Sequence, residues 1–206
     1  MSRFIQIHPL NPQPRLIAQA VEQLSAGAVI VYPTDSSYAL GCRLGDKTAA
    51  ERIRHIRQTD RHHNFTLVCR DLSEIATYAK VDNRRYRLLK TATPGPFSFI
   101  LQSTHEVRRR LQHPRRKTIG IRIPDTAIVR ALLAALGEPI MSCTLTLPGD
   151  DWPLADPQEI EERLRNDVDL IIDGGPCQQE PTTVLDLTED APQLIRQGLG
   201  DAGPFL

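Results

Sequence analysis

The sequence predicts a mixed α/β (α+β) fold, one β-sheet flanked by helices in a single domain over residues 1–206. Three observations carry this. Short apolar, β-branched runs are interleaved with amphipathic segments along the whole chain. The interleaving does not keep the regular strand–helix–strand rhythm of a doubly wound fold. No Gly/Ser linker, low-complexity run or solenoid-length repeat divides the chain, and 206 residues at 40% hydrophobic content suffice for one sizeable core.

The elements follow in order. Pro14 opens a helix over "RLIAQAVEQLSAG", with Leu16, Ile17, Ala20, Val21 and Leu24 on one face and Gly27 at its exit. "AVIVY" is a buried strand, which Pro33 should end because it cannot donate to a ladder. "DKTAAERIRHIRQ" is a helix with Asp46 as N-cap. "FTLVC" is a strand, "DLSEIATYA" a helix capped by Asp71, and "NRRYRLLKTA" a further helix. Pro94-Gly95-Pro96 breaks the chain before the strand "FSFIL"; "EVRRRLQ" suits a helical turn, and "TIGIRI" alternates as a strand. "TAIVRALLAALG" is an amphipathic helix ending at Gly137, and "PIMSCTLTL" a strand running into Pro148-Gly149. "DPQEIEERLRN" is an acidic surface helix, followed by the strands "VDLIID", "TTVLDL" and "QLIRQG".

Composition narrows the function. No apolar run approaches the roughly 20 residues of a membrane span, and "MSRFIQIHPL" has no signal-peptide core; a cytoplasmic protein is expected. Cys42, Cys69, Cys143 and Cys177 are widely spaced, which argues for free buried thiols rather than structural zinc. The net charge of zero conceals an asymmetry. From Arg52 to Lys117 there are 16 Lys/Arg and 5 Asp/Glu; from Asp151 to Leu206 there are 3 and 13. A basic face can hold nucleotides or RNA, and mutual neutralisation across the fold explains the counts equally well.

After the first strand comes Thr34-Asp35-Ser36-Ser37, three hydroxyls and a carboxylate where α/β folds place ligands. Taken alone, an Asx or Ser/Thr turn accounts for them better. Arg122 lies inside an apolar strand, and a buried arginine requires an anionic partner.

These residues do not stand alone. "PTDSSYALGC", "TPGPFSFIL", "TIGIRIPD", "GEPIMSCT", "TTVLDL" and "IRQG" occur in order along nearly the whole chain. Together they resemble the motif blocks of the YrdC/YciO-like family, which includes the threonylcarbamoyl-AMP synthases, and the details are nearest the YciO branch. The resemblance implies a YrdC-like mixed sheet with a basic concave cleft. It also implies a synthase that joins threonine, bicarbonate and ATP into a carbamoyl-adenylate for tRNA modification and releases pyrophosphate. Two anions must then meet, so fixed cations and Mg²⁺ carried by the nucleotide are needed, and no nucleophilic side chain is.

Residue by residue, the resemblance implies Arg57 and Arg122 as catalytic cations and Thr34, Ser36 and Thr118 as substrate ligands. Arg57, His63, Ser142, Thr144 and Arg196 become the nucleotide ligands. The family's Lys-x-Arg reads here Arg57-Gln58-Thr59, and its Ser-x-Asn reads Thr144-Leu145-Thr146, so one cation and one amide are missing. The alternatives are a changed substrate or an RNA-binding protein without synthase activity. The latter would use Arg108, Arg109, Arg110, Arg115, Arg116 and Lys117 on tRNA or double-stranded RNA. A monomer or weak dimer is expected.

Overall fold

Two apolar clusters, one on each face of a single sheet, organise the molecule. The computed structural model describes residues 2–59, 65–107 and 117–206. In chain order the elements are Arg3–Gln6 (β1), Pro14–Ser25 (α1), Ile30–Pro33 (β2), Tyr38–Arg43 (β3), Lys47–Arg57 (α2), Thr66–Val68 (β4), Leu72–Tyr78 (α3) and Asn83–Ala92 (α4). There follow Phe97–Gln102 (β5), Thr118–Arg122 (β6), Ala127–Leu136 (α5), Ile140–Thr144 (β7), Pro157–Leu164 (α6), Leu170–Asp173 (β8), Thr183–Asp186 (β9) and Gln193–Arg196 (β10). A 3₁₀ turn, Gly203–Phe205, closes the chain.

The helix starts obey local chemistry. Asp46, Asp71, Asp82, Thr126 and Asp156 each accept a hydrogen bond from a backbone N–H of the following first turn. Gly137 closes α5 in the left-handed region at φ 74°.

The described strands form one mixed sheet in the order β1-β8-β2-β3-β7-β4-β6-β5-β9-β10. The β1–β8, β8–β2, β4–β6 and β5–β9 pairs are parallel and the others antiparallel. One face packs on α2, α3, α4 and α6 through residues such as Ile53, Ile75, Leu89 and Ile160. The other packs on α1 and α5 through Ile17, Leu24, Val129 and Leu132. The sheet residues beneath α1 and α5 come from β2, β3, β4, β7 and β8, with none from β5, β6, β9 or β10. Among the described residues no helix covers that second half of the face, and this sets the site.

Four expectations are corrected. Pro33 lies within β2, opposite Tyr38; pairing on the β8 side stops at Val31, so its missing N–H costs no ladder bond. Thr34–Ser37 is consequently the turn of a β2–β3 hairpin. The strands β1 and β3 were not anticipated as such, because "RFIQ" is short and half exposed and "YALGCR" is nearly all buried without alternation. The fourth thiol, Cys177, is only partly buried.

The charge asymmetry has a structural counterpart. Arg52 forms a fork on Asp169, with N–O distances of 2.7 and 3.2 Å. Arg85 donates to the carbonyls of Leu187, Thr188 and Glu189. Part of the basic middle thus neutralises the acidic end across the fold. Most of "EVRRRLQ", together with Arg108, Arg109, Arg110, Arg115, Arg116 and His63, lies outside the described residues. Lys117 is described; it is exposed, with backbone in the left-handed region.

Candidate active site

The uncovered half of the sheet forms the floor of a cleft of about 580 Å³. Strand alternation puts Thr118 and Gly120 on one face of β6, Ser98 and Ile100 on one face of β5, and Thr182, Val184 and Asp186 on one face of the β9 segment. Ladder pairing then aligns Thr66, Gly120, Ile100 and Asp186 in one row across four strands. Gly120 keeps this floor low: a Cβ there would stand 3.1 Å from Thr66 Oγ1.

Two cations reach the cleft from elements far apart in sequence, Arg57 from the last turn of α2 and Arg196 from β10. Arg57 donates through Nε to the Thr146 carbonyl at 3.2 Å, among other contacts. Arg196 straddles the Thr182 carbonyl, with Nη2 at 2.8 Å and Nε at 3.1 Å. Partial burial, and then the like charge of Arg122, lower the pKa of Arg196 from its ordinary value. Arg122 and Arg196 thus stand near enough to repel one another, an arrangement that favours an anion.

Arg122 has its own partner. It is buried at 7% exposure and its Nη2 binds the Asp35 carboxylate, Ser36 Oγ at 3.0 Å and Thr34 Oγ1 at 3.3 Å. Asp35 also accepts from the Asp125 N–H at 2.9 Å. The anion that a buried arginine demands is therefore supplied by the hairpin turn. The Nε of Arg122 is buried without a hydrogen-bond partner among the described residues.

The hydroxyls expected as ligands divide in two. Thr118 and Thr144 line the cleft, as does Thr146 at the family's missing asparagine, and so do Thr66, Ser98 and Thr182, which sequence reasoning did not single out. The "FSFIL" alternation would have exposed Ser98, since Phe97 and Phe99 face the core. Thr34, Ser36 and Ser142 do not line the cleft. Thr34 Oγ1 donates to the Ser37 carbonyl at 2.6 Å, closing the turn. Ser142 sits mid-strand rather than at a strand end; it accepts from Tyr32 OH at 2.6 Å and donates to the Leu40 carbonyl at 3.2 Å. Burial pushes the Tyr32 phenol well above its usual range, which keeps it a neutral donor. Replacing Ser142 with alanine should therefore cost about 1–3 kcal/mol, the penalty of an orphaned buried hydroxyl. The S142A/Y32F pair should regain most of it in urea unfolding. Full stability in S142A alone would contradict this structural role.

No described cysteine is poised as a nucleophile. Burial raises the Cys177 thiol to about 11 and the Cys42 thiol to about 12, and it also raises Cys143, whose contact with Arg57 acts in the opposite direction. Of the two family departures, Thr146 lines the cleft, whereas Thr59 lines a separate groove along α2. Asp151 and Asp186 are the carboxylates on the cleft wall.

A mixed sheet whose one face carries a hydroxyl-lined cleft, with Arg57 and Arg196 on its wall, defines the class of this α/β domain. Residues 22–198 match the Sua5/YciO/YrdC family model, described as "Telomere recombination", and the chain belongs to this family. It is 59% identical to YciO of Escherichia coli over 206 residues, covering 100% of both chains, and the crystal structure of that protein superposes with a TM-score of 0.96. A Methanocaldococcus jannaschii protein provisionally named threonylcarbamoyl-AMP synthase is 25% identical over 201 residues, covering 96% of this chain and 94% of its own. Sua5 of P. abyssi, solved with L-threonine, shares the fold at a TM-score of 0.88 and 24% identity, over 96% of this chain and 58% of that one.

Proposed function

We propose that the cleft binds ATP and that the chain is a synthase of the threonylcarbamoyl-AMP type, acting on threonine or a related amino acid. The observation that carries this reading is the convergence of Arg57 and Arg196 on one hydroxyl-lined cleft large enough for a small ligand. Membership of the family and the M. jannaschii relative's name support the reaction class.

In this reading the amino nitrogen bonds to the bicarbonate carbon, a C–O bond breaks and water leaves, giving an N-carboxy-amino acid. Its carboxylate attacks the α-phosphorus, the bond to the β-phosphate oxygen breaks, and pyrophosphate leaves with that electron pair. Arg57 and Arg196 hold phosphate oxygens and offset the charge that repels the incoming carboxylate. Thr118, Thr144 and Thr146 supply hydroxyls along the floor. Mg²⁺ arriving with the triphosphate would neutralise further charge, and Asp151 and Asp186 are the lining carboxylates that suit it. Orientation of the two reactants supplies much of the remaining acceleration.

The test is pyrophosphate release from ATP with bicarbonate and threonine, alongside a panel of other amino acids and a family synthase as control. Turnover is expected, and Arg57→Ala or Arg196→Ala should each weaken ATP binding roughly 10- to 100-fold in calorimetry, the loss of one charge-assisted contact. No release with any amino acid, in the assay where the control turns over, would overturn the synthase reading.

A further inference from the structure

The proposed reaction accounts for the arginines and hydroxyls of the cleft but not for Trp152. This is the chain's single tryptophan; it lines the cleft and is 60% exposed. An isolated exposed apolar side chain is ordinary. One held in place on the wall of a polar cleft is not.

The loop that carries Trp152 is held at several points. Leu154 N–H donates to the Leu145 carbonyl at 2.8 Å and closes the loop's base. Arg163 holds Asp150 at 3.0 Å while also reaching Glu159 at 3.1 Å. Pro153, Leu154 and Ala155, which follow it in the chain, are buried. Arg57 grips the same loop at the Thr146 carbonyl. The loop backbone is thus held in place, and its indole lines the same cleft as Arg57.

The other aromatic rings on the cleft wall offer no face. Phe99 is fully buried and Phe65 is 5% exposed, with the Arg54 guanidinium 5.0 Å from its ring centroid. Among the described lining residues, Trp152 therefore presents the open aromatic surface. An exposed indole in a cleft that also holds Arg57 and Arg196 suits a ligand with a flat ring at one end and negative charge at the other.

We infer that Trp152 is the wall on which the nucleobase stacks, which rests on the ATP reading above. Base–aromatic stacking tolerates any base, because each has a π-face. Discrimination among bases must then come from the polar groups around it.

A single tryptophan makes the inference directly readable. Indole fluorescence, excited at the red edge where adenine does not absorb, is followed while the full chain is titrated with ATP, adenosine and inorganic triphosphate. ATP and adenosine should quench it, and inorganic triphosphate should not. Trp152→Ala should weaken ATP roughly 10- to 100-fold while leaving inorganic triphosphate affinity unchanged, and Trp152→Phe should retain most of the affinity. If calorimetry shows ATP binding while fluorescence is silent and Trp152→Ala binds equally well, the stacking role falls and the nucleotide reading stands. If ATP binds by neither measurement, both fall.

Discussion

Replacing Arg122 with methionine should destabilise the protein by about 3–5 kcal/mol, the usual consequence of stranding one member of a buried ion pair. At this chain length that corresponds to roughly 6–20 °C in melting temperature. The side chains of Arg122 and Asp35 are 9% and 12% exposed, so solvent screens the pair little. Methionine keeps the stem volume and removes the charge. Asp35 would then keep the Asp125 N–H as its remaining partner, and the Thr34 and Ser36 hydroxyls would lose their contacts to Nη2. This guanidinium, with the Asp125 N–H, holds the hairpin turn that joins β2 to β3 against β6 and the segment after it. Asp35→Asn should cost less, because the amide oxygen still accepts, and the R122M/D35N double variant should recover much of the loss. The cycle of four proteins, followed by circular dichroism, measures the coupling. A melting temperature for R122M within a degree or two of the parent would show that the pair is not buried in the folded protein.

The cycle also separates two roles of Arg122 that a single substitution confounds. If the guanidinium acts on an anion only by holding the turn, R122M/D35N should bind ATP as the parent does. If its unpaired Nε donor contributes directly, the stabilised double variant should still bind ATP less well.

Replacing Gly198 with alanine should damage stability and the site together. A Cβ at this position would stand 2.2 Å from the Pro181 carbonyl oxygen and 2.6 Å from the Thr182 carbonyl carbon. Both obstacles are backbone, so no side-chain rotation relieves them. The segments that must separate are held by Gly198 N–H to Thr183 Oγ1 at 2.9 Å, Leu199 N–H to the Pro181 carbonyl at 3.0 Å, and Arg196 to the Thr182 carbonyl. The expected cost is about 1–3 kcal/mol, or roughly 2–12 °C. The same displacement moves Thr182 and Arg196, so ATP affinity should fall at least about tenfold, as when a charged contact is lost. Gly203→Ala serves as control, since its Cβ would meet an Asp201 carboxylate oxygen at 3.2 Å and no backbone. It should change stability by less than about 0.5 kcal/mol. Equal melting temperatures for the two variants would refute the close approach at Gly198.

The helices were legible in the sequence because their causes are local. Asp46 and Asp71 satisfy N–H groups within a turn of themselves, the 3.6-residue apolar period marks α1 and α5, and Gly137 ends α5 by conformational permission alone. Alternation likewise marked β6, and the six ordered motif blocks pointed to the family. The demand of Arg122 for an anion was also readable, since desolvating a guanidinium is costly wherever it occurs. What supplies that anion was not, because Asp35 stands 87 residues away and a turn composition looks the same whether it binds a ligand or an arginine. Ser142 shows the same limit: its hydroxyl reads as a candidate ligand until Tyr32, 110 residues distant, is found to occupy it.

The cleft itself is a tertiary product. The sequence by itself determined which residues form strands and helices, how their faces divide into apolar and polar, and where cations and hydroxyls lie along the chain. Only the tertiary structure decided that α1 and α5 cover one half of a sheet face and leave the other bare. Burial free energy depends on which surfaces meet, and strand order sets that through contacts between residues distant along the chain.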